Sequence, residues 1–185
     1  MTEQNIYHER QSRQLCCLHA LNNLFQAKQT YTKEELDDIC TDLSPESWLN
    51  PHRSWIGWGN YDVNVLMRAL SKRNCEAAWF DKRKDPACIN LDVVFGFILN
   101  VPSDYKIGFV TLPLHRRHWI AVRKINDNYY NLDSKLSRPE CIGNEVELLR
   151  FLRSQLNTNE REVFVILTNE NVKENWLRDE EVAES

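Results

Sequence analysis

The 185-residue chain lacks several features that would assign its class at once. Nothing in it reads as a signal peptide, because the opening Met1-Thr2-Glu3-Gln4-Asn5 is polar and no apolar core follows. The longest apolar stretch, Val93 to Leu99, falls far short of the ~20 residues needed to cross a bilayer. A soluble, intracellular protein without an integral membrane segment is expected, placed in the cytoplasm and with the nucleus also open to it. Six cysteines occur, at positions 16, 17, 40, 75, 88 and 141, but no Cys-x-x-Cys pair does. That argues against a zinc ribbon or a thioredoxin-like redox motif. Cys16-x-x-His19 has no second ligand pair downstream, so no metal and no other cofactor is expected. An even number of thiols allows a disulfide reading, but without a secretion signal that reading is weak. There are no internal repeats and no low-complexity tracts. The net charge of -4 gives no basic excess for phosphates, so nucleic acid is not expected as a partner.

What is present is an ordinary globular balance, 42% apolar and 27% charged. A chain of this length buries roughly 70% of its unfolded surface and needs no cross-link to fold as one domain. A first helix is expected over about Arg13 to Gln26, with Ser12 as its N-cap. Thr32-Lys33-Glu34-Glu35 is a capping box, followed by Leu36, Ile39, Cys40 and Leu43 at helical spacing and stopped by Ser44-Pro45. Residues 45–61 hold Trp48, Trp55 and Trp58 with Gly57 and Gly59, a loop-like composition. A third helix follows from about Tyr61, with Asn74 as its C-terminal cap. Ala77 to Phe80 reads as a strand. Leu91 to Leu99 reads as a short buried helix, although its Val and Phe content leaves strand open. Lys106 to Leu112 is strand-like, and His118 to Ile125 with Asn128 to Asp133 suggests a hairpin turning at Asn126-Asp127. Glu145 to Asn157 is an amphipathic helix, Glu162 to Thr168 a last strand, and 179–185 an acidic tail expected to be disordered. Helices lead and strands follow, which predicts an α+β fold with an antiparallel sheet.

Two adjacent thiols invite a comparison. With Cys16 at zero on a helical wheel, Cys17, Leu18, Leu21, Leu24 and Phe25 gather around an arc centred near about 140°. Cys17 belongs to that apolar arc and reads as core. Cys16 shares the other side with His19, Ala20 and Asn23, near the helix N-terminus, where the macrodipole favours a thiolate. Taken alone, a small buried residue is the commoner role for such a cysteine. His118 opens a strand, from which it can reach a cleft at the sheet edge; a surface or core histidine is the commoner case. A two-residue turn at 126–127 pairs Ile125 with Asn128, faces Ile120 with Asp133, and makes His118 and Asp133 diagonal neighbours on one face. A one-residue slip would separate them. Together, thiol, imidazole and carboxylate suit nucleophilic catalysis: the imidazole takes the thiol proton and the carboxylate orients the ring. Gln11, five positions before Cys16, is a candidate oxyanion donor alongside the Cys16 backbone N–H.

The segments Tyr7-His8-Glu9-Arg10-Gln11 and Leu15-Cys16-Cys17-Leu18-His19-Ala20-Leu21-Asn22-Asn23-Leu24 resemble the opening of a Josephin domain. Arg117 to Arg123 and Tyr130-Asn131-Leu132-Asp133-Ser134 resemble its second half. Order and spacing match along roughly residues 6–170, most closely in the short proteins that consist of little besides that domain; 171–185 then form a C-terminal extension. The resemblance implies a papain-like cysteine peptidase fold, with an N-terminal catalytic helix, a helical arm over about residues 32–70 and an antiparallel sheet. It implies a monomeric deubiquitinase that cleaves isopeptide or peptide bonds at the ubiquitin C-terminus, with ubiquitin and polyubiquitin chains as partners. The nucleophile falls on Cys16, the general base on His118, the orienting residue on Asp133 and the oxyanion glutamine on Gln11. The arm tryptophans then either pack between arm helices or touch ubiquitin. The alternative is a ubiquitin-binding module of the same fold with little or no activity.

Overall fold

The computed structural model describes residues 6–11, 15–43, 61–107, 110–158 and 160–178, with the side chains of 104–116 and 173 left aside. Ser12, Trp48, Trp55, Trp58, the Ser44-Pro45 stop and the acidic tail lie outside the described residues. Three helices come first: α1 (Cys16–Phe25), α2 (Lys33–Leu43) and α3 (Val63–Ser71). Strands β1 (Cys75–Trp79), β2 (Val94–Ile107), β3 (Val110–Ile125), β4 (Asn128–Asn131) and β5 (Glu140–Gly143) follow. Helix α4 (Glu145–Leu156) and strand β6 (Glu162–Thr168) complete the core. The strands form one antiparallel sheet in the order β1-β6-β2-β3-β4-β5. The α+β class expected from the sequence is the observed one.

Strand alternation divides the sheet between two cores. Ile98, Trp119, Ala121, Phe164 and Ile166 face α1, α2 and α3, whereas Phe97, Leu99, Val122, Val163 and Val165 face α4. Helix α1 therefore lies in the interior, with every residue from Cys16 to Leu24 buried. Its fully buried Leu21 and Leu24 contribute about 1.5–3 kcal/mol each by leaving water. At its C-terminal end, Arg123 on β3 donates to Leu24 O and lies 4.0 Å from the centroid of the Phe95 ring. A cation there complements the helix dipole as well as the last carbonyls. Helices α2 and α3 are fastened to one another by tyrosines: Tyr31 Oη donates to Ala69 O at 2.9 Å and Tyr61 Oη to Asp37 Oδ1 at 2.9 Å.

Several local expectations require correction. Helix α1 begins at Cys16 rather than Arg13, and its N-cap Leu15 offers no side-chain cap. The stretch Leu91 to Leu99 is not a helix; β2 starts at Val94, where Val and Phe fit a pleated sheet buried on both faces. The strand expected over Lys106 to Leu112 is two strand ends, since β2 stops at Ile107 and β3 starts at Val110. Strand β4 stops at Asn131 instead of Asp133, and the short β5 had no strong sequence signal. The capping box at Thr32 is half made: Thr32 Oγ1 accepts from Glu35 N at 3.2 Å, while Glu35 Oε2 pairs with Arg73 at 3.0 Å. The C-cap of α3 is Lys72 and not Asn74, which takes the left-handed conformation, φ 55°, two residues further on.

Candidate functional site

Cys16 is the first residue of α1. The first i→i−4 bond of that helix runs from His19 N to Leu15 O at 3.0 Å, so the N–H groups of Cys16, Cys17 and Leu18 precede the ladder. A helix N-terminus with N–H groups ahead of its ladder favours negative charge on a nearby atom. Cys17 is wholly buried in the helical core, as its place on the wheel predicts, and burial holds its thiol strongly protonated.

His118 sits on β3, opposite Val101 of β2. The β3–β4 ladder runs from Ile125↔Asn128 to Val122↔Asn131, the register expected from the turn at Asn126-Asp127. The ladder then ends, and Leu132 N donates to Ala121 O at 2.9 Å as the chain peels away. Asp133 thus meets His118 from a loop and not as a paired strand residue. Asp133 Oδ1 accepts from His118 Nε2 at 2.6 Å and from Lys135 N at 2.9 Å. The second bond is an Asx-type turn that fixes the carboxylate rotamer. The Cys16 thiol lies close enough to the same imidazole to influence its charge. With Nε2 committed to Asp133, Nδ1 is the ring nitrogen left for sulfur.

The electrostatics follow from this contact. Burial alone would disfavour the imidazolium, but the Asp133 carboxylate, which accepts its Nε2–H, and then the nearby Cys16 sulfur raise the His118 pKa above its ordinary value. Burial likewise opposes the Asp133 carboxylate, yet the His118 bond and charge bring its pKa below the ordinary carboxylate value. Both shifts favour one charged pair.

Gln11 lies on an N-terminal strap, residues 6–11, that crosses α1 toward the Asp133 loop. Its backbone N–H donates to Ser134 O at 2.7 Å. His8 Nε2 is 3.0 Å from Asp133 O, although nothing local in the sequence gave His8 a role. Glu9 also escaped the sequence reading: its carboxylate accepts from His19 Nδ1 at 2.7 Å and from Asn22 Nδ2 at 3.1 and 3.2 Å. Asn23 Nδ2 donates to both Glu9 O and Leu132 O, at 3.2 and 3.0 Å. The signal that could have found these residues is Asn22-Asn23 inside a helix, where asparagine is a poor former unless its amide is engaged elsewhere. Among the described residues, no group of three His, Cys, Asp or Glu is placed to hold a metal ion.

A cysteine at the start of an interior helix, packed against an antiparallel sheet that carries a carboxylate-tethered histidine, is an arrangement of the cysteine-hydrolase kind. Comparison with known proteins narrows this. The Josephin family model matches residues 11–167. A Josephin-like protein of Drosophila melanogaster is 60% identical over 171 residues, 92% of this chain and 77% of its own length. Human Josephin-2 is 48% identical over 174 residues, covering 94% of this chain and 92% of that protein. Ataxin-3 of Gallus gallus is more distant, 25% identical over 169 residues, 88% of this chain but 45% of its own length. The chain belongs to the Josephin family, a family of the deubiquitinase type of cysteine peptidase.

Proposed function

We propose that this chain is a thiol-dependent ubiquitin hydrolase in which Cys16, His118 and Asp133 act as nucleophile, base and orienting residue. The observation that supports the reading is the His118 Nε2–Asp133 Oδ1 bond of 2.6 Å, on a strand packed against the helix that begins at Cys16. In the first step the Cys16 proton passes to His118 Nδ1, and Asp133 stabilises the imidazolium. The thiolate then attacks the carbonyl carbon at the ubiquitin C-terminus; the C–S bond forms and the carbonyl π pair moves onto oxygen. The Cys16 N–H and the Gln11 side chain receive that oxyanion. Its collapse breaks the C–N bond, and His118 delivers its proton to the departing amine. Water, deprotonated by His118, attacks the thioester, releasing the ubiquitin carboxylate and restoring the thiol.

The burial of Cys16 and His118, 4% and 3% exposed, favours a second reading of how strongly the site works. On that reading the free chain keeps its thiol covered and binds ubiquitin with little turnover. Hydrolysis of a fluorogenic amide at the ubiquitin C-terminus separates the two. Measurable turnover that vanishes in Cys16→Ser supports the enzyme. Saturable ubiquitin binding without turnover supports the module, and turnover that survives Cys16→Ser refutes both assignments of the site.

A further inference from the structure

We propose that Glu9 is a positioning residue that sets Gln11 at Cys16 by fastening the N-terminal strap to α1. The inference rests on the assignment of Cys16 and Gln11 made above. Glu9 is an unusual residue to bury. Its side chain is 18% exposed, and a carboxylate removed from water is costly unless its lone pairs are met. Here they are met fourfold, by His19 Nδ1, by the Asn22 amide at both oxygens and by the Tyr7 hydroxyl. The Glu9 backbone N–H donates to Asn23 Oδ1 at 2.5 Å, and its carbonyl accepts from Asn23 Nδ2 at 3.2 Å. An apolar residue would fill the same space at lower electrostatic cost. What a fully bonded carboxylate adds is register.

Apart from Tyr7, every one of these partners lies on α1, three, six and seven residues beyond Cys16. The strap is therefore indexed to the helix that carries the nucleophile. Gln11 follows Glu9 by two residues, and its own N–H is tied to Ser134 O at 2.7 Å. Gln11 is held from both flanks, by α1 through Glu9 and by the Asp133 loop through Ser134. The Asp133 loop has its own fastening to α1, Asn23 Nδ2 to Leu132 O at 3.0 Å, which does not involve the Glu9 side chain. The strap's own ties to that loop, His8 Nε2 to Asp133 O at 3.0 Å and Gln11 N–H to Ser134 O at 2.7 Å, do not involve the Glu9 side chain either, so loosening Glu9 shifts the Gln11 side chain more than it shifts Cys16, His118 and Asp133. Oxyanion donors act over a window of about 2.7–3.1 Å, and a misplacement of about 1 Å costs on the order of a hundredfold in rate.

The test is a double-mutant cycle between Glu9→Gln and Gln11→Ala, read with the fluorogenic ubiquitin amide and, separately, by iodoacetamide alkylation of Cys16. Alkylation displaces iodide at a saturated carbon and develops no oxyanion. Glu9→Gln should lower kcat by about tenfold with KM within about twofold, and leave the rate and pH profile of alkylation unchanged. In the Gln11→Ala background the same substitution should cost less than about twofold, because residues acting through one another are non-additive. Tyr7→Phe, which removes a single hydroxyl from the cluster, should show the same pattern with a loss of about threefold, and it carries the test should Glu9→Gln not fold. Equal losses from Glu9→Gln in both backgrounds, or a parallel loss of alkylation, overturn the proposal and leave the assignment of Gln11 intact. Full turnover in Gln11→Ala, or none in the unmodified chain, overturns the assignment of the site and the proposal with it.

Discussion

Replacing Asp133 by alanine probes the electrostatic centre of the site. The bond it removes is short, 2.6 Å, and shielded, with side-chain exposures of 3% for His118 and 16% for Asp133. A hydrogen bond to a charged partner in such a setting is worth about 1.5–3 kcal/mol. Without that bond the imidazolium of His118 loses its principal support, and its pKa falls. Burial, which opposes the charge, stays behind. The thiolate–imidazolium pair should therefore become scarce at neutral pH. Iodoacetamide alkylation of Cys16 at pH 6.5 should fall by about tenfold or more, with the profile displaced to more alkaline pH. The stability difference between native chain and variant should have its own pH signature. The His118 pKa is raised on folding, so its contribution is complete below the unfolded value of about 6.5 and is lost as pH rises through the folded one. The Asp133 pKa is lowered on folding, so its contribution is complete above the unfolded value of about 3.9 and is lost as pH falls through the folded one. The variant should be most destabilised, relative to the native chain, between about pH 4 and 6.5. Urea titrations across pH measure that difference. An alkylation profile identical to that of the native chain would refute the argument that Asp133 sustains the charged histidine.

Two further substitutions test the scaffold. Gly96 sits where β2 shifts register against β6, and a Cβ there would lie 2.7 Å from Leu24 Cδ1 and 2.9 Å from Val122 O. Since the carbonyl cannot swing aside as a side chain can, Gly96→Ala should cost about 1–3 kcal/mol in urea unfolding and disturb α1. Leu152→Ala empties a fully buried position on α4, across the sheet from Cys16. It should cost about 2–5 kcal/mol, read as a lower urea midpoint, while Cys16 alkylation at temperatures where the chain stays folded remains unchanged.

Legibility in the sequence followed the range of the interactions. Leu36, Ile39, Cys40 and Leu43 revealed α2, and the amphipathic pattern of Glu145 to Asn157 revealed α4, because amphipathic spacing is a property of neighbours in the chain. Asn126 adopts φ 56° at the hairpin turn, so the Ile125↔Asn128 register could be read from residue types alone. The wheel placed Cys17 in the core, where it lies, but the structure buries Cys16 beside it, because α1 is covered on all sides. Leu91 to Leu99 misled because a strand buried on both faces loses its alternation and looks like any apolar run. The bonds that build the site are less local still. His8 meets the Asp133 carbonyl across 125 positions, and Asn23 reaches the Leu132 carbonyl across 109. No period in the chain announces such contacts. Polar residues on the inner face of α1 hinted that partners exist, but which partners emerged from the packing of the strap.

The central claim is that Cys16 is the thiol that engages the ubiquitin C-terminus. Its most direct test is a ubiquitin carrying a C-terminal electrophile, incubated with the native chain, Cys16→Ser and Cys17→Ser, with the modified peptide identified by mass spectrometry. One ubiquitin adduct should form on Cys16, persist in Cys17→Ser and disappear in Cys16→Ser. An adduct mapped to another cysteine, or one that survives Cys16→Ser, would contradict the assignment.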